Sequence, residues 1–461
     1  MRDHLTGLVE VLDTDRIRTG AIRLLGEVGM AVPSADVARR LQCAGVRVDG
    51  GRMYLRPEVV SGFLDRHRAT SPPEPDEGPV TLNAGSHNLY EYCAGERAIR
   101  RLTVARPEEH TRLVGALRAE GILASAYCPG TPADVPPCLA PLWQQFVGAR
   151  FLPDPPIYAY SPAYAPFAAA MAEVLGKQVG IGVHPISPLV LGGDELELAL
   201  RLLDDGMATT TSAGPMPVMG VTAPLDWIAA WSQALAEAAG TGVALEALGF
   251  RQVRVWAALY VADPQHGAFV FGSPEHALIT LTEARVNREL LGNLRRPAKA
   301  IDTTAKEPGP QAAAEKTAHT LAALLAGYRA LDCVGSLAVD EVFSVEQLFV
   351  DLDIAAHCWR IVRGVEARFC QGDVVELVRQ GLEDQQFLTA PATLERFRDF
   401  YQQPATFDRR STGTWLAAPA PQLERAAELA RSRLKGYTYE LDEARQAALR
   451  SVIARAAEAL R

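Results

Sequence analysis

Residues 188–206, PLVLGGDELELALRLLDDG, contain the strand-and-helix unit on which the predicted fold depends. Pro188–Leu191 is a short apolar run, typical of a buried strand. From Asp194 to Asp205, apolar residues recur every three or four positions, which predicts an amphipathic helix, and Gly206 is a typical residue at its end. The predicted inward stripe of this helix is Leu196, Ala199, Leu200 and Leu203. A strand followed at once by a helix is the repeating unit of a parallel sheet.

The same alternation of strand and helix continues through most of the chain. The other predicted strands are Ile122–Tyr127, Ile157–Tyr160, Val253–Val261, Lys299–Ile301 and Leu331–Val334. About six to eight such units over about 310 residues favour an α/β fold with a closed (β/α)8 barrel, a TIM barrel, over an open doubly wound sheet. No GxGxxG or GxxxxGK[ST] motif follows a predicted strand, so the chain has no dinucleotide-binding or P-loop signature.

The two ends of the chain differ in pattern from its middle. Residues 1–79 are predicted to form an N-terminal helical leader, and the linker that closes it, Ser71–Pro79, is rich in proline. Residues 80–410 form the predicted barrel, and residues 411–461 are predicted C-terminal helices packed on it. At about 150 residues per domain the chain could also form three domains. The uninterrupted alternation favours a single extended barrel.

Composition excludes several classes of protein. The chain has 46 Lys and Arg against 55 Asp and Glu, and its net charge of −9 argues against a general nucleic-acid binder. Its seven cysteines form no CxxC pair, which argues against a disulfide framework. The nine histidines form no HExxH motif, so no metal site is expected. Neither a signal peptide nor a membrane span is recognisable, so a cytoplasmic location is expected.

Candidate functional residues follow from the geometry of a barrel, whose active site lies at the carboxyl ends of its strands. The predicted strand ends place several aromatic and ionisable side chains there, among them Tyr127, Tyr160, His184, Tyr260 and Asp302. Trp256 and Tyr260 have the same parity on one predicted strand, so their rings are predicted to point the same way. Aromatic faces attract a quaternary ammonium group, although core packing is the simpler explanation of each ring. A lyase or hydrolase that uses His184 and Asp302 is a further interpretation.

Several motifs, in order along the chain, resemble one known family. They are ISPL at 186–189, MGVTAPLDWIAAWSQALAEAAG at 219–240, GAFVFGSPEHAL at 267–278, FSVEQLFVDLDIA at 343–355 and FDRRSTGTW at 407–415. The leader from Ile17 to Val60 is also similar to that family's opening. On these motifs the chain resembles the trimethylamine methyltransferase family, in its glycine betaine methyltransferase-like branch, which lacks pyrrolysine.

The resemblance implies a (β/α)8 barrel and a methyltransferase activity. The implied reaction moves a methyl group from a small quaternary or tertiary methylated amine, such as a betaine, to the Co(I) of a corrinoid (cobalamin) on a separate partner protein. No tightly bound cofactor is expected on the chain itself, and a homo-oligomer is expected. The expected substrate-binding residues are Trp256, Tyr260, Tyr160, Tyr127 and His184, with Glu237 and Gln311 from the family motifs. No catalytic residue is assigned, because a leaving neutral amine needs no general base.

Two positions depart from the family pattern. Gly309 stands where an acidic residue is usual, two residues before Gln311, and Ala392 stands where histidine is usual. These departures suggest a changed substrate. They also leave open a non-catalytic or repurposed barrel that binds a cationic small molecule without methyl transfer.

Overall fold

The computed structural model describes residues 7–71, 78–85, 88–159, 161–292, 294, 296–383 and 385–460. The described helices include α1 Thr14–Arg23, α2 Ala35–Cys43, α3 Pro57–Thr70, α4 Ala105–Ala119, α5 Ala140–Phe151, α6 Ala165–Leu175, α7 Asp194–Asp204, α8 Trp227–Ala247, α9 Pro274–Val286, α10 Pro310–Leu325, α11 Val345–Val362, α12 Val374–Glu383, α13 Pro391–Phe400, α14 Thr412–Ala417, α15 Gln422–Gly436 and α16 Glu443–Ala459. None of these helices is both long and apolar enough to cross a membrane.

The strands are short. They include β1 Met30–Ala31, β2 Arg47–Asp49, β3 Arg52–Tyr54, β4 Thr81–Ala84, β5 Tyr90–Cys93, β6 Ala98–Arg101, β7 Ser125–Ala126, β8 Gly182–Val183, β9 Thr210–Ala213, β10 Val218–Met219, β11 Gln252–Val255, β12 Tyr260–Asp263, β13 Ala268–Phe269, β14 Ala330–Val334, β15 Ser336–Leu337 and β16 Val342–Phe343.

The N-terminal segment contains a small sheet as well as helices. Strands β1, β3 and β2 pair antiparallel in that order, so the segment predicted as a helical leader is mixed. Helix α1 begins after Asp13, whose carboxylate accepts the Arg16 N–H at 3.0 Å and caps the helix. The helix packs along α8. Gly20 allows this approach, because a Cβ there would lie 2.3 Å from the Ser232 hydroxyl oxygen.

Helix α8 joins this segment to the rest of the core. Its N-cap is Asp226, whose carboxylate accepts the Ala229 N–H at 2.8 Å. Every residue from Ala230 to Leu245 is buried, and most of them are small. Gly240 illustrates the close packing, because a Cβ there would lie 2.5 Å from the Met30 sulfur. The leader and α8 therefore share one apolar core.

Parallel strand pairs form the centre of the molecule. Strand β4 pairs with both β7 and β14, and β9 pairs with both β8 and β11. Single parallel bridges join Tyr158 to Gly180 and Ala298 to Leu331. Antiparallel hairpins, β5–β6, β12–β13 and β15–β16, accompany them. The fold is therefore α/β with mixed sheets and many helices, and the ladders among the described residues do not form a continuous ring.

The predicted strand Pro188–Leu191 is not part of a ladder. The strand of this unit lies earlier, at β8, and only Val190 forms isolated bridges, to Ala31 and Ile186. Leu189 has a left-handed φ of 54°. Its N–H donates to the Glu237 carboxylate at 2.9 Å instead of to a strand, which explains the difference.

The predicted strand Val253–Val261 is divided into two. Strand β11 ends at Val255 and β12 begins at Tyr260. Between them, the N–H and C=O of Ala257 bond the side chain of Asn287, at 3.0 and 2.8 Å. Trp256 and Tyr260 therefore do not belong to one continuous strand, so the parity argument does not apply, although Trp256 packs against the apolar cluster that contains Tyr260.

The C-terminal helices pack against the central elements. Helix α15 contacts α4 and α11, and α16 contacts α5 and α6. The Tyr437 hydroxyl donates to the Phe151 carbonyl at 2.7 Å, over Gly115, where a Cβ would lie 2.6 Å from that hydroxyl. All seven cysteines are free thiols.

Candidate functional site

A cavity of about 340 Å³ lies where several of the parallel segments end or pass each other. Its walls combine two tyrosines, two charged groups of opposite sign, two thiols and two amides. The residues that provide these groups are Tyr127, Tyr158, Lys299, Asp332, Cys128, Cys333, Gln144 and Gln145. They come from five segments. These are the residues directly after β7, the middle of α5, the stretch around the bridge at Tyr158, the stretch after the bridge at Ala298, and β14.

The two tyrosines form an aromatic wall. The rings of Tyr127 and Tyr158 lie 6.4 Å apart, tilted by 33°. Gln145 fixes the backbone of Tyr158, because its amide donates to the Tyr158 carbonyl at 2.8 Å and accepts the Tyr158 N–H at 3.3 Å. Gly85, with a φ of 95°, permits the close approach of Tyr127, since a Cβ there would lie 2.6 Å from the Tyr127 carbonyl oxygen. The wall is thus held by contacts that other residues could not make.

The charged groups of the cavity are partly sheltered from solvent. The Lys299 ammonium donates to Asp340 at 2.7 Å, and burial opposes its charge, yet nearby Cys333 and Asp340 raise the pKa of Lys299 above its ordinary value. Burial raises the pKa of Asp332, although the Asn83 amide, which donates at 2.7 Å, favours the carboxylate. The cavity therefore offers a cation and an acid on separate parts of its wall.

Asp302 lies behind Lys299 and is fully buried. Its Oδ1 accepts the Thr303 N–H at 2.8 Å and the Asp340 N–H at 3.3 Å. Burial and the nearby Asp340 carboxylate raise the pKa of Asp302 to about 7. Donor atoms of Asp302, Cys333 and Asp340 all lie within 4.8 Å of one another.

Tyr260 belongs to a buried network and does not line the cavity. Its hydroxyl accepts from Arg296 at 3.0 Å, and the Arg296 guanidinium also lies 5.7 Å from the ring centroid. Arg296 faces the Glu283 carboxylate at 3.7 Å, and the Tyr328 hydroxyl donates to the same carboxylate at 2.9 Å. The Tyr260 ring thus already carries a cation of the chain itself. Phe271 also faces a cation of the chain itself, since the Lys299 ammonium lies 5.4 Å from its ring centroid.

Trp256 and His184 lie next to each other, and neither lines the cavity. Their ring centroids are 6.3 Å apart. His184 Nδ1 lies 2.8 Å from Glu195, which also accepts the His184 N–H at 2.9 Å. Burial raises the pKa of Glu195, but the bonds and charge of His184 lower it further, so that the net shift is downward. The Trp256 indole covers Gly214, where a Cβ would lie 2.0 Å from a ring atom.

Glu237 and Gln311, the two site residues expected from the family motifs, bond to residues outside the cavity wall. Glu237 is fully buried and accepts from the Ser187 hydroxyl at 2.6 Å, from the Leu189 N–H at 2.9 Å and from Gln233 at 2.9 Å. Burial raises its pKa. Gln311 is exposed and donates to Glu315 at 2.8 Å. Tyr160 lies outside the described residues.

Of the expected substrate-binding residues, the cavity therefore includes Tyr127. Sequence reasoning missed Tyr158, Lys299 and Asp332 as members of a common site. A signal was present, because Lys299 and Asp332 are charged residues within otherwise apolar predicted strands. Cys333, in β14, also lines the cavity.

Comparison with known proteins identifies the family. The family model described as trimethylamine methyltransferase (MTTB) matches residues 176–460. The trimethylamine methyltransferase MttB1 of Methanosarcina mazei is 28% identical over 245 residues, which are 53% of this chain and 48% of the relative. The trimethylamine methyltransferase MttB of Methanosarcina barkeri is 29% identical over 189 residues, 41% of this chain and 37% of the relative. The chain thus spans about half the length of the curated relatives it matches.

A solved structure was also found, the monomethylamine methyltransferase (MtmB) of Methanosarcina barkeri. It superposes with a TM-score of 0.43 at 11% identity, covering 92% of this chain and 94% of that one. The family match itself agrees with the resemblance predicted from the motifs. Since the matched range exceeds half of the 461 residues, the chain belongs to the trimethylamine methyltransferase (MTTB) family.

Proposed function

We propose that the chain is a corrinoid-dependent methyltransferase whose cavity binds a small methylated amine of the betaine type. Family membership supports the reaction class. The observation that carries the assignment to this cavity is the combination of the Tyr127–Tyr158 wall with Asp332 and Lys299. A quaternary ammonium group and a carboxylate in one small molecule would have a partner on each side.

The ammonium end needs aromatic faces and negative charge, because it has no hydrogen to donate. Ring faces attract such cations by about 0.5–2 kcal/mol. Tyr260 and Phe271 are already covered by Arg296 and Lys299, whereas no Lys or Arg of the described residues lies over the Tyr127 ring. Tyr127, with Asp332 nearby, is therefore the proposed ammonium site.

The carboxylate end needs a cation, and Lys299 is the ammonium group on the cavity wall. A charge-assisted hydrogen bond to it contributes about 1.5–3 kcal/mol. An amine without a carboxylate gains nothing from Lys299 and is repelled by its charge. This argument favours a zwitterionic betaine over trimethylamine as the substrate.

A corrinoid carried on a separate partner protein would supply the nucleophilic cobalt that accepts the methyl group. A cavity of about 340 Å³ suits a small amine and is far too small for the macrocycle, which agrees with a cofactor held outside this chain. The residues of the chain bind the cation, orient one methyl group towards the cavity opening and exclude water. The leaving amine is neutral, so no side chain is required to move a proton.

We also propose a closed barrel, a family branch, a location and an oligomeric state for the chain. A closed (β/α)8 barrel is supported by the parallel pairing of β14 with β4, which brings late and early strands together. The branch without pyrrolysine, a cytoplasmic location and a homo-oligomer are also proposed, on the resemblance of the motifs.

A binding protein without methyl transfer is the second candidate, motivated by Gly309 and Ala392. Gly309 is exposed with open space around it, and Ala392 lies on helix α13, whose described residues do not line the cavity. The departures therefore leave the proposed amine site intact.

The test mixes the protein with chemically reduced cobalamin and a panel of glycine betaine, other betaines, tetramethylammonium and trimethylamine. Absorbance follows the conversion of Co(I) to methylated cobalamin. We expect conversion with at least one betaine. Betaine binding in calorimetry without any conversion would support the second candidate, and no conversion with any amine contradicts the proposed reaction.

A further inference from the structure

Three potential metal donors meet beside the cavity, although no spacing motif brings them together in sequence. Asp302 follows the stretch that bridges β14 at Ala298, Cys333 lies in β14, and Asp340 lies in the loop after β15. One carboxylate oxygen of each aspartate and the Cys333 sulfur all lie within 4.8 Å of one another. Asp302 and Cys333 are buried, at 0% and 4% exposure.

Asp302 has an unsatisfied oxygen. Its Oδ1 accepts two backbone N–H groups, which fix the carboxylate, but the buried Oδ2 has no hydrogen-bond partner among the described residues. A buried polar atom without a partner has lost its hydrogen bonds to water and gained none, which is unfavourable. A bound cation would satisfy this oxygen, which is a reason to expect a ligand here that is independent of the cluster itself.

The charges around the cluster are unbalanced. The Lys299 ammonium contacts the cluster, because it donates to one oxygen of Asp340 at 2.7 Å. Lys316 also acts on Asp302 and Arg296 on Asp332, but these two cations are paired with other carboxylates, Asp351 and Glu283. The three carboxyl groups of Asp302, Asp332 and Asp340 therefore have room for a further positive charge, and Asp340 retains a second oxygen to bind it.

The backbone holds two of the donors in unfavourable conformations. Cys333 has a φ of 73° and Asp340 a φ of 59°, and the neighbours Ala338 and Val339 are also left-handed. Such conformations are unfavourable for residues other than glycine and cluster at functional sites. Here they direct a thiol and a carboxylate to the same point.

We propose that Asp302, Cys333 and Asp340 form a binding site for one divalent transition-metal ion of the zinc type, with a fourth position open to the cavity. One sulfur and two oxygen donors suit Zn²⁺ or Co²⁺ better than Mg²⁺ or Ca²⁺. Donors around tetrahedral zinc are about 3.5 Å apart, so the cluster would have to close by about 1 Å.

Binding of the ion is a simple exchange of a proton for a metal. A cysteine thiol loses its proton when it becomes a metal ligand. The ion forms a bond to sulfur, the S–H bond breaks, and the proton leaves to solvent without any change of oxidation state. This inference does not depend on the proposed methyl transfer.

The test titrates Co²⁺ into the full chain after removal of metals with a chelator. We expect one equivalent to produce a thiolate-to-cobalt charge-transfer absorption, which one equivalent of Zn²⁺ then removes. Cys333→Ser should abolish the absorption, whereas Cys358→Ser, a matched buried cysteine on α11, should retain it. Asp302→Asn should weaken binding by at least about tenfold.

A wild-type protein that shows no such absorption overturns the proposal, whatever the variants do. So does an absorption that persists in Cys333→Ser. Circular dichroism of each variant separates a lost ligand from a lost fold, and the Asp302→Asn titration tests the site should the serine variant not fold.

Discussion

Individual aromatic side chains in this protein differ in whether a Lys or Arg of the chain lies over their ring. Tyr260 pairs with Arg296, while Tyr127 lines the cavity with no described Lys or Arg over its ring. Identical side chains therefore have different roles according to their neighbours. A count of aromatic residues in the sequence cannot make this distinction, because the neighbours come from distant segments.

Tyr127→Ala should weaken the binding of glycine betaine by about 0.5–2 kcal/mol, the usual range for a cation on an aromatic face. Titration calorimetry measures the change. Tyr54→Ala is the matched control, since Tyr54 is a half-buried tyrosine in β3 with Arg47 over its ring. Equal affinity of Tyr127→Ala and the wild type would remove Tyr127 from the ammonium site.

Lys299→Gln should erase the preference for ligands with a carboxylate. In the wild type we expect glycine betaine to bind at least about tenfold more tightly than tetramethylammonium, as one charge-assisted hydrogen bond allows. Lys435→Gln, at an exposed position on α15, should retain that preference. The idea fails if the two ligands bind the wild type with equal affinity in calorimetry.

At the scale of elements, the helices were predicted better than the strands. Helix α7 was expected over Asp194–Asp205 and is observed over Asp194–Asp204, because an apolar stripe and the left-handed Gly206 after its end specify the helix within its own sequence. Strand positions depend on partners elsewhere. Asn287 interrupts the predicted Val253–Val261 strand, and Glu237 holds Leu189 out of any ladder, and neither effect is visible in the strand sequence itself.

The candidate site was predicted only in part for the same reason. The strand-end argument found Tyr127, and the apolar context of Lys299 and Asp332 was a signal that was not used. Gln311 and Glu237 came from motif positions, and their partners in the structure are Glu315 and the 187–189 segment. Their expected contact with substrate stays a prediction.

Gly214, which follows β9, lies against Trp256, which follows β11, and this contact provides a test of packing. Gly214→Ala should destabilise the protein by about 1–3 kcal/mol, because the new Cβ would meet the Trp256 indole at 2.0 Å. Denaturant unfolding measures the loss. Gly309→Ala is the control and should be neutral, since nothing lies within 4 Å of a Cβ there. Equal stability of the two variants would show that the indole moves freely.

At the scale of the whole molecule, two buried histidines link stability to pH. The rings of His276 and His319 lie 4.3 Å apart, and His319 bonds the Thr280 hydroxyl at 2.7 Å. Burial lowers the pKa of His319 to about 3, and burial with nearby His319, Arg296 and Lys299 lowers that of His276 as well. The folded protein therefore keeps both rings neutral at a pH where the unfolded chain binds protons.

As the pH falls below about 6.5, each of these histidines should lower the free energy of unfolding by about 1.4 kcal/mol per pH unit. The stabilising contribution is complete above that pH and is lost as the pH falls towards 3. His319→Gln, which can keep the bond to Thr280, should reduce the slope of the free energy of unfolding against pH by about 1.4 kcal/mol per pH unit, the contribution of one proton. Denaturant unfolding at several pH values measures the slope, and an unchanged slope would contradict the assignment of a neutral His319.

The whole-molecule prediction that succeeded best was the family. Ordered motifs along the chain led to the trimethylamine methyltransferase family, which the family match over 176–460 confirms. The closure of the barrel was not established in the same way, because the short described ladders leave gaps between segments. Sequence motifs are inherited within a family and so identify it, whereas continuous pairing of strands around a barrel depends on backbone geometry that no motif specifies.

Methyl transfer from a betaine in this cavity can be measured directly. The most direct measurement is the single-turnover rate of cobalamin methylation by glycine betaine, compared between wild type, Lys299→Gln and Lys435→Gln. We predict methylated cobalamin with the wild type and Lys435→Gln, and a rate at least about tenfold lower with Lys299→Gln at subsaturating betaine. No methylated cobalamin with the wild type, or equal rates for all three proteins, would contradict the account.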